Sequence, residues 1–253
     1  SGLSGGAFSE PVELSKADAL LASVAFSILA FKGFTTITNS GGEMVDPHKN
    51  VGRTIMVSIA VCIVIYLLVA LAVGSSLSIS EIVQARDYSL AAAARPAFGQ
   101  MGFYFTVVIA LTATISGVIA SVFAASRMLA MLTDMKLLPH SHFGMSGGIQ
   151  SHMLVYTVVI AGTLAVLFDL SRIASLGAFF YLVMDMLVHW GVLRNLRKEV
   201  GARATILLAA LAADGVVLAA FTVTKLRSDP AIVAYAIIGI AIVFLGQWIF
   251  LSG

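Results

Sequence analysis

Between Arg53 and Glu81, and again between Arg95 and Arg127, the chain carries no charged side chain. A run of roughly 18 or more apolar residues is long enough to cross a bilayer as a helix. Several of these segments are apolar on every side, which means burial or lipid contact rather than one packed stripe. The composition agrees, with 59% of the 253 residues hydrophobic and 11% charged; soluble domains carry about a quarter charged residues. Lipid offers backbone groups no water, so an isolated spanning segment has to be a helix. The chain therefore reads as an all-α polytopic membrane protein.

Other classes fall away on the same grounds. A net charge of +2, with no dense Lys/Arg block, excludes a nucleic-acid partner. Cys62, the lone cysteine, excludes an internal disulfide. The five histidines are scattered without ligand spacing, so neither a metal nor a cofactor is expected. The opening "SGLSGGAFSEPVELSK" reads as a Gly/Ser-rich loop rather than a signal peptide. It is expected to be a cut within a longer protein.

Hydropathy gives seven transmembrane helices, at about 17–42, 54–74, 102–132, 152–168, 171–193, 204–223 and 231–251. Asp46-Pro47 is a helix start, with the carboxylate at the cap and the proline at the first helical position. The half-polar connection "LSISEIVQARDYSLAAAARPAFGQMG" has room for a short interfacial helix. With the first helix entering from outside, the inner connections hold Lys49, Arg53, Arg127, Lys136, Arg194, Arg197, Lys198 and Arg203. Lys16, Arg86, Arg95, Arg172, Lys225 and Arg227 fall on the outer side, a small positive-inside excess. No internal repeat relates the seven spans.

Ionisable groups at membrane depth cost about 2.5–3.5 kcal/mol each on insertion scales and mark candidate sites. Lys32, Asp185 and Asp214 stand deep, and His189 lies one turn beyond Asp185 on the same face. Lys32 either snorkels as a structural cation or sits at a helix break opened by Gly33. In the second reading Thr35, Thr36, Thr38 and Asn39 satisfy the backbone groups that the break releases. Discontinuous helices of this kind hold substrates and ions in secondary transporters. Asp185 and His189 form either a proton relay or a structural polar pair, and Asp214, beside Gly215, suggests close helix packing. In "FTVVIALTATISGVIASVFAASR", Ala113, Gly117, Ser121 and Ala125 make a packing face. Thr114 and Ser116 there either ligate an ion or bond back to their own helix.

The stretch "FKGFTTITNSGGEMVDPHKNVGR" resembles the sixth helix and following loop of amino acid permeases in the amino acid–polyamine–organocation (APC) superfamily. Phe31, Gly33, Phe34, Glu43, Pro47, Lys49 and Arg53 fit that pattern in register, with Asp46 where the family usually has Asn. "ASRMLAMLTDMKLLP" is similar to the family's Ser-Arg segment after the eighth helix, and "ASLGAFFYLVMDMLVHWGVLR" resembles its tenth. The resemblance implies a LeuT-like fold of two inverted five-helix repeats, followed by two further helices. Residues 17–193 are then the second repeat with a broken first helix, 194–253 the two extra helices, and 1–16 an extracytoplasmic loop. The five N-terminal helices of such a transporter are missing.

The implied function is secondary transport of an amino acid or related amine across the cytoplasmic membrane by alternating access. Phe31, Lys32, Gly33, Phe34 and Thr35 line the expected substrate pocket. Lys32, Ser116, Asp185 and His189 are the candidates for coupling to a proton or sodium. A seven-helix receptor or retinal-type protein is the alternative, suggested by the span count and a buried lysine. An intramembrane protease using Asp185 and Asp214 lacks any supporting motif, and no enzyme is expected.

Overall fold

The computed structural model describes residues 16–31, 33, 37–38, 41, 44–139 and 146–252. Among them there is no strand, and eight α-helices are described: α1 Lys16–Ala30, α2 Pro47–Ser76, α3 Ile79–Gln84, α4 Ser89–Asp134, α5 Ile149–Leu167, α6 Leu170–Gly191, α7 Ala204–Ser228 and α8 Pro230–Ser252. The protein is an all-helical, multi-pass membrane protein. Six helices, α2 and α4 to α8, are long and apolar enough to cross a bilayer. The expected first span is represented among the described residues by α1, which ends at Ala30.

Local chemistry sets most helix ends. Pro47 opens α2, but Asp46 does not cap it with its carboxylate as the sequence suggested. Asp46 sits in the left-handed region (φ 49°, ψ 60°), which turns the side chain away from the first helical amides. Its backbone carbonyl accepts from Lys49 and Asn50 instead, both at 3.0 Å. The expected interfacial helix is α3. A reciprocal cap starts it: Ser78 N donates to Glu81 Oε2 at 2.8 Å and Ser78 Oγ to the same oxygen at 2.7 Å. Those bonds hold the Glu81 carboxylate below its ordinary value of 4.5.

The membrane span expected at 102–132 is the inner part of a longer element. At 46 residues, α4 as one straight rod would reach about 69 Å, over twice the bilayer core. Gly99 interrupts it with φ 62° and ψ −156°, three residues after Pro96. Such a backbone conformation is open to glycine alone. The break divides an outer arm, 89–98, from a membrane-length rod.

Contacts group the chain into two compact units, residues 1–32 with 161–253 and residues 33–160. In the second unit α2 packs on α4, and Thr133 of α4 reaches the Met153 sulfur of α5 at 4.0 Å. In the first unit α1, α6, α7 and α8 share a core of Ala25, Ala178, Phe179, Leu182, Phe221, Ile232 and Ala236. Phe221 is fully buried, with Phe26 of α1 edge-on at 5.4 Å and Phe179 of α6 at 4.9 Å. Small residues let backbones approach: Gly239 of α8 admits the Phe180 ring where a Cβ would come within 2.7 Å of it. Helices in lipid associate through close packing and polar contacts, since the tails are as apolar as leucine.

Charge closes one end of this unit. Asp169 caps α6 through the Arg172 amide at 2.9 Å, and Arg172 Nε reaches Asp229 at 2.8 Å, tying α6 to the α7–α8 junction. Lys225 Nζ lies 5.4 Å from the Phe26 ring and 5.7 Å from that of Phe221. Beyond α6 the helix widens into a π turn over Val192–Leu196.

Phe221→Ala is expected to destabilise this core by about 3–5 kcal/mol, the lost transfer energy of the ring plus the cavity it leaves. Phe244→Ala, half-exposed on α8, serves as control. Equal midpoints for the two variants in denaturant unfolding from micelles would contradict the packing described. For α3, the depressed Glu81 value predicts a cap fully formed above pH about 4.5 and lost as pH falls through the lower folded value. Amide exchange at Ser78 and Glu81 reads that window.

Candidate functional site

α1 ends at Ala30, and Phe31 and Gly33 lie in a turn, with helical backbone again at Ile37 and Thr38. The Phe31 amide makes a tight bond to the Ile28 carbonyl at 3.1 Å, a final three-residue turn rather than continuing α-helix. Space beside Gly33 is open, with no heavy atom within 4 Å of where a Cβ would stand. Lys32, Phe34 and Thr35, and with them the supporting Thr36 and Asn39, lie outside the described residues. The packing that positions Phe31 is described: Phe26 and Ala25 of α1 sit in the aromatic core, and Leu29 lies 3.6 Å from the Cβ position of Gly177 on α6.

Ser116 stands within the membrane-length part of α4, exposed. Thr106 and Thr112 bond back to carbonyls four residues earlier, at 2.8 and 2.9 Å. Among the described residues, no hydroxyl bond of this type is made by Thr114 or Ser116. Of the two sequence alternatives for these hydroxyls, back-bonding is therefore not the one observed.

Asp185 and His189 lie one turn apart on α6, both half-buried. The fold adds a residue that sequence reasoning assigned only to packing. His189 Nδ1 is 3.0 Å from Asp214 Oδ2, across the α6–α7 seam, with side-chain exposures of 31% and 13%. A carboxylate this buried near the middle of a spanning helix requires such a partner. Gly215 beside it makes only ordinary contact, its Cβ position 4.0 Å from Met186 Cε. The connection between α6 and α7 turns at Gly201, φ 64°. His189 precedes that turn by about as many residues as Asp214 follows it, so an antiparallel hairpin brings them level. That symmetry was the signal available in the sequence.

Removing one member of a buried pair strands the other, whereas removing both does not. His189→Leu is accordingly expected to lower stability by about 3 kcal/mol or more, and His189→Leu with Asp214→Leu by clearly less. Strict additivity of the two single changes in unfolding from micelles would show that the pair has no energetic coupling.

Comparison with known proteins gives the arrangement its family. The amino acid permease profile matches residues 6–249. Over 188 residues, 73% of this chain and 42% of the relative, the sequence is 29% identical to an uncharacterised protein of Methanocaldococcus jannaschii. Over 199 residues, 75% of this chain and 44% of the relative, it is 27% identical to the inner membrane transport protein YbaT of Escherichia coli. The matched segments cover less than half the length of these curated relatives. A profile covering nearly every residue, on six membrane-length helices, leaves one assignment: the chain belongs to the amino acid permease family.

Proposed function

We propose that the protein moves an amino acid or related amine across the cytoplasmic membrane by secondary active transport with alternating access. In this reading the chain supplies the second inverted repeat, 17–193, and two further helices, 194–253. The remaining helices of the transporter complete the substrate site. The observation that carries the proposal is the end of α1 at Ala30, within an apolar segment of a chain whose family is amino acid permeases. Helix ends at membrane depth turn unpaired amides and carbonyls toward a small polar ligand. Phe31, Lys32, Gly33, Phe34 and Thr35 line that opening, and the two half-helix ends take the ligand's carboxylate and amine. No comparison favours an enzyme or a seven-helix receptor, and membrane transport is the activity named for the Escherichia coli relative.

Coupling in this proposal runs through protons or sodium. Lys32 supplies a fixed cation or a titratable amine at the break, and Ser116 supplies a hydroxyl ligand for an ion. Asp185 and His189 carry protons along α6, with Asp214 of α7 as the group that holds the imidazole. The test is gradient-driven uptake of labelled amino acids by the full-length protein in liposomes. Lys32→Ala is expected to change the pH or sodium dependence of uptake, and Phe31→Ala to raise KM severalfold. Asp214→Asn is expected to reduce uphill uptake at least tenfold while sparing exchange at equal concentrations. Uptake by Lys32→Ala that matches the parent at every pH and sodium concentration would remove the lysine from the proposal.

A further inference from the structure

α3, the outer arm of α4 and the first turn of α4 beyond Gly99 line an open cavity of about 630 Å³. That size falls within the ~300–1,000 Å³ of small-molecule pockets. Its lining includes two opposite charges, Glu81 and Arg95, together with Gln84, Tyr88, Phe103 and Leu77. Glu81 and Arg95 form no ion pair with each other, although they face one cavity. Each is held from outside. Ser78 engages Glu81 Oε2 through both its amide and its hydroxyl, leaving Oε1 without a donor among the described residues. Arg95 is stacked on the Phe103 ring, its Cζ 4.8 Å from the centroid, and Tyr88 packs edge-on against the same ring. Among the described residues none accepts a hydrogen bond from the Arg95 guanidinium, a group that matches a carboxylate with two parallel bonds.

The charges lining the cavity sum to zero yet stay apart. A lone anion or a lone cation meets one attractive and one repulsive group there. A molecule that carries both signs, separated by one carbon, meets two attractive ones. We propose that this cavity is a second recognition site, for a free α-amino acid, in which Arg95 takes the carboxylate and Glu81 the ammonium. Phe103, Tyr88 and Leu77 give an apolar wall for the ligand's side chain, and Gln84 and the Tyr88 hydroxyl, which bond no described residue, remain available to it. The ligand class rests on the transport reading above; the location does not, because the cavity shares no residue with the α1 break.

Hydrogen exchange read by mass spectrometry over residues 77–103 tests the site locally, in the intact protein in lipid nanodiscs at pH 7. The probes are the common L-amino acids, with phenethylamine and 3-phenylpropionate as single-charge analogues of phenylalanine. At least one amino acid is expected to slow exchange in this segment severalfold, and the analogues are expected to leave it unchanged at equal concentration. Glu81→Gln keeps a helix-capping side chain and removes only the charge; it and Arg95→Gln should each weaken protection about tenfold. Arg95→Lys should restore part of it. Arg86→Gln, whose guanidinium faces Asp87 at 3.8 Å, should not matter. Absence of protection by every amino acid overturns the proposal. So does protection that survives both charge removals, or protection by 3-phenylpropionate equal to that by phenylalanine. Uptake measured in parallel separates the two ideas: uptake without protection at 77–103 sinks this site alone, and protection without uptake sinks the transport reading alone.

Discussion

A helix that stops inside a bilayer leaves carbonyls with no following turn to pair them, and lipid cannot supply the missing donors. In the transport reading proposed above, α1 ends in this way. The described part of α1, Lys16–Ala30, gives way to a turn at Phe31. It is held by contact: Phe26 against Phe221, Leu29 against Gly177, and Ala25 buried among α6 and α7. Lys225, over the same two rings, adds an electrostatic clasp from the last turn of α7. Release of this aromatic core would free the segment that ends at the proposed substrate opening. Stability and function thus meet at Phe221.

Much of this was legible from residue types alone. Long uncharged stretches dictate helices at membrane depth, and Pro47 marks a start that the structure keeps. The short helix between the second and third spans followed from half-polar patterning, with Ser78 and Glu81 three apart as its cap. Two features escaped because they depend on three dimensions. Asp46 has the chemistry of a cap but adopts φ 49°, so its backbone rather than its carboxylate serves the helix. Gly99 has no local pattern that distinguishes a kink from an ordinary small residue, and only the resulting φ of 62° reveals it.

The site was legible to a similar depth. A glycine in an apolar run, next to a lysine, pointed to the region where α1 ends. Which imidazole meets which carboxylate was not readable from neighbours one turn apart. Pairing between His189 and Asp214 is set by how two antiparallel helices face each other, a property of the seam and not of either segment. Arg95 illustrates the same limit. In the sequence it is one outer-loop charge among several, and only the fold stacks it on Phe103 and aims it at a cavity shared with Glu81.

The widened turn at Val192–Leu196 follows His189 by less than one turn of helix. A π turn fits an extra residue into the ladder without breaking it. Residues before and after it are therefore out of step, as if the rod had been twisted at a joint. The apolar and titratable face of α6 is oriented by its neighbours in the core. Arg194, Arg197 and Lys198 can then be aimed separately by their own surroundings. Deletion of a single residue within this joint would restore ordinary winding and force the two halves to share one azimuth, so the protein's tolerance of indels should be lowest where its helix is loosest.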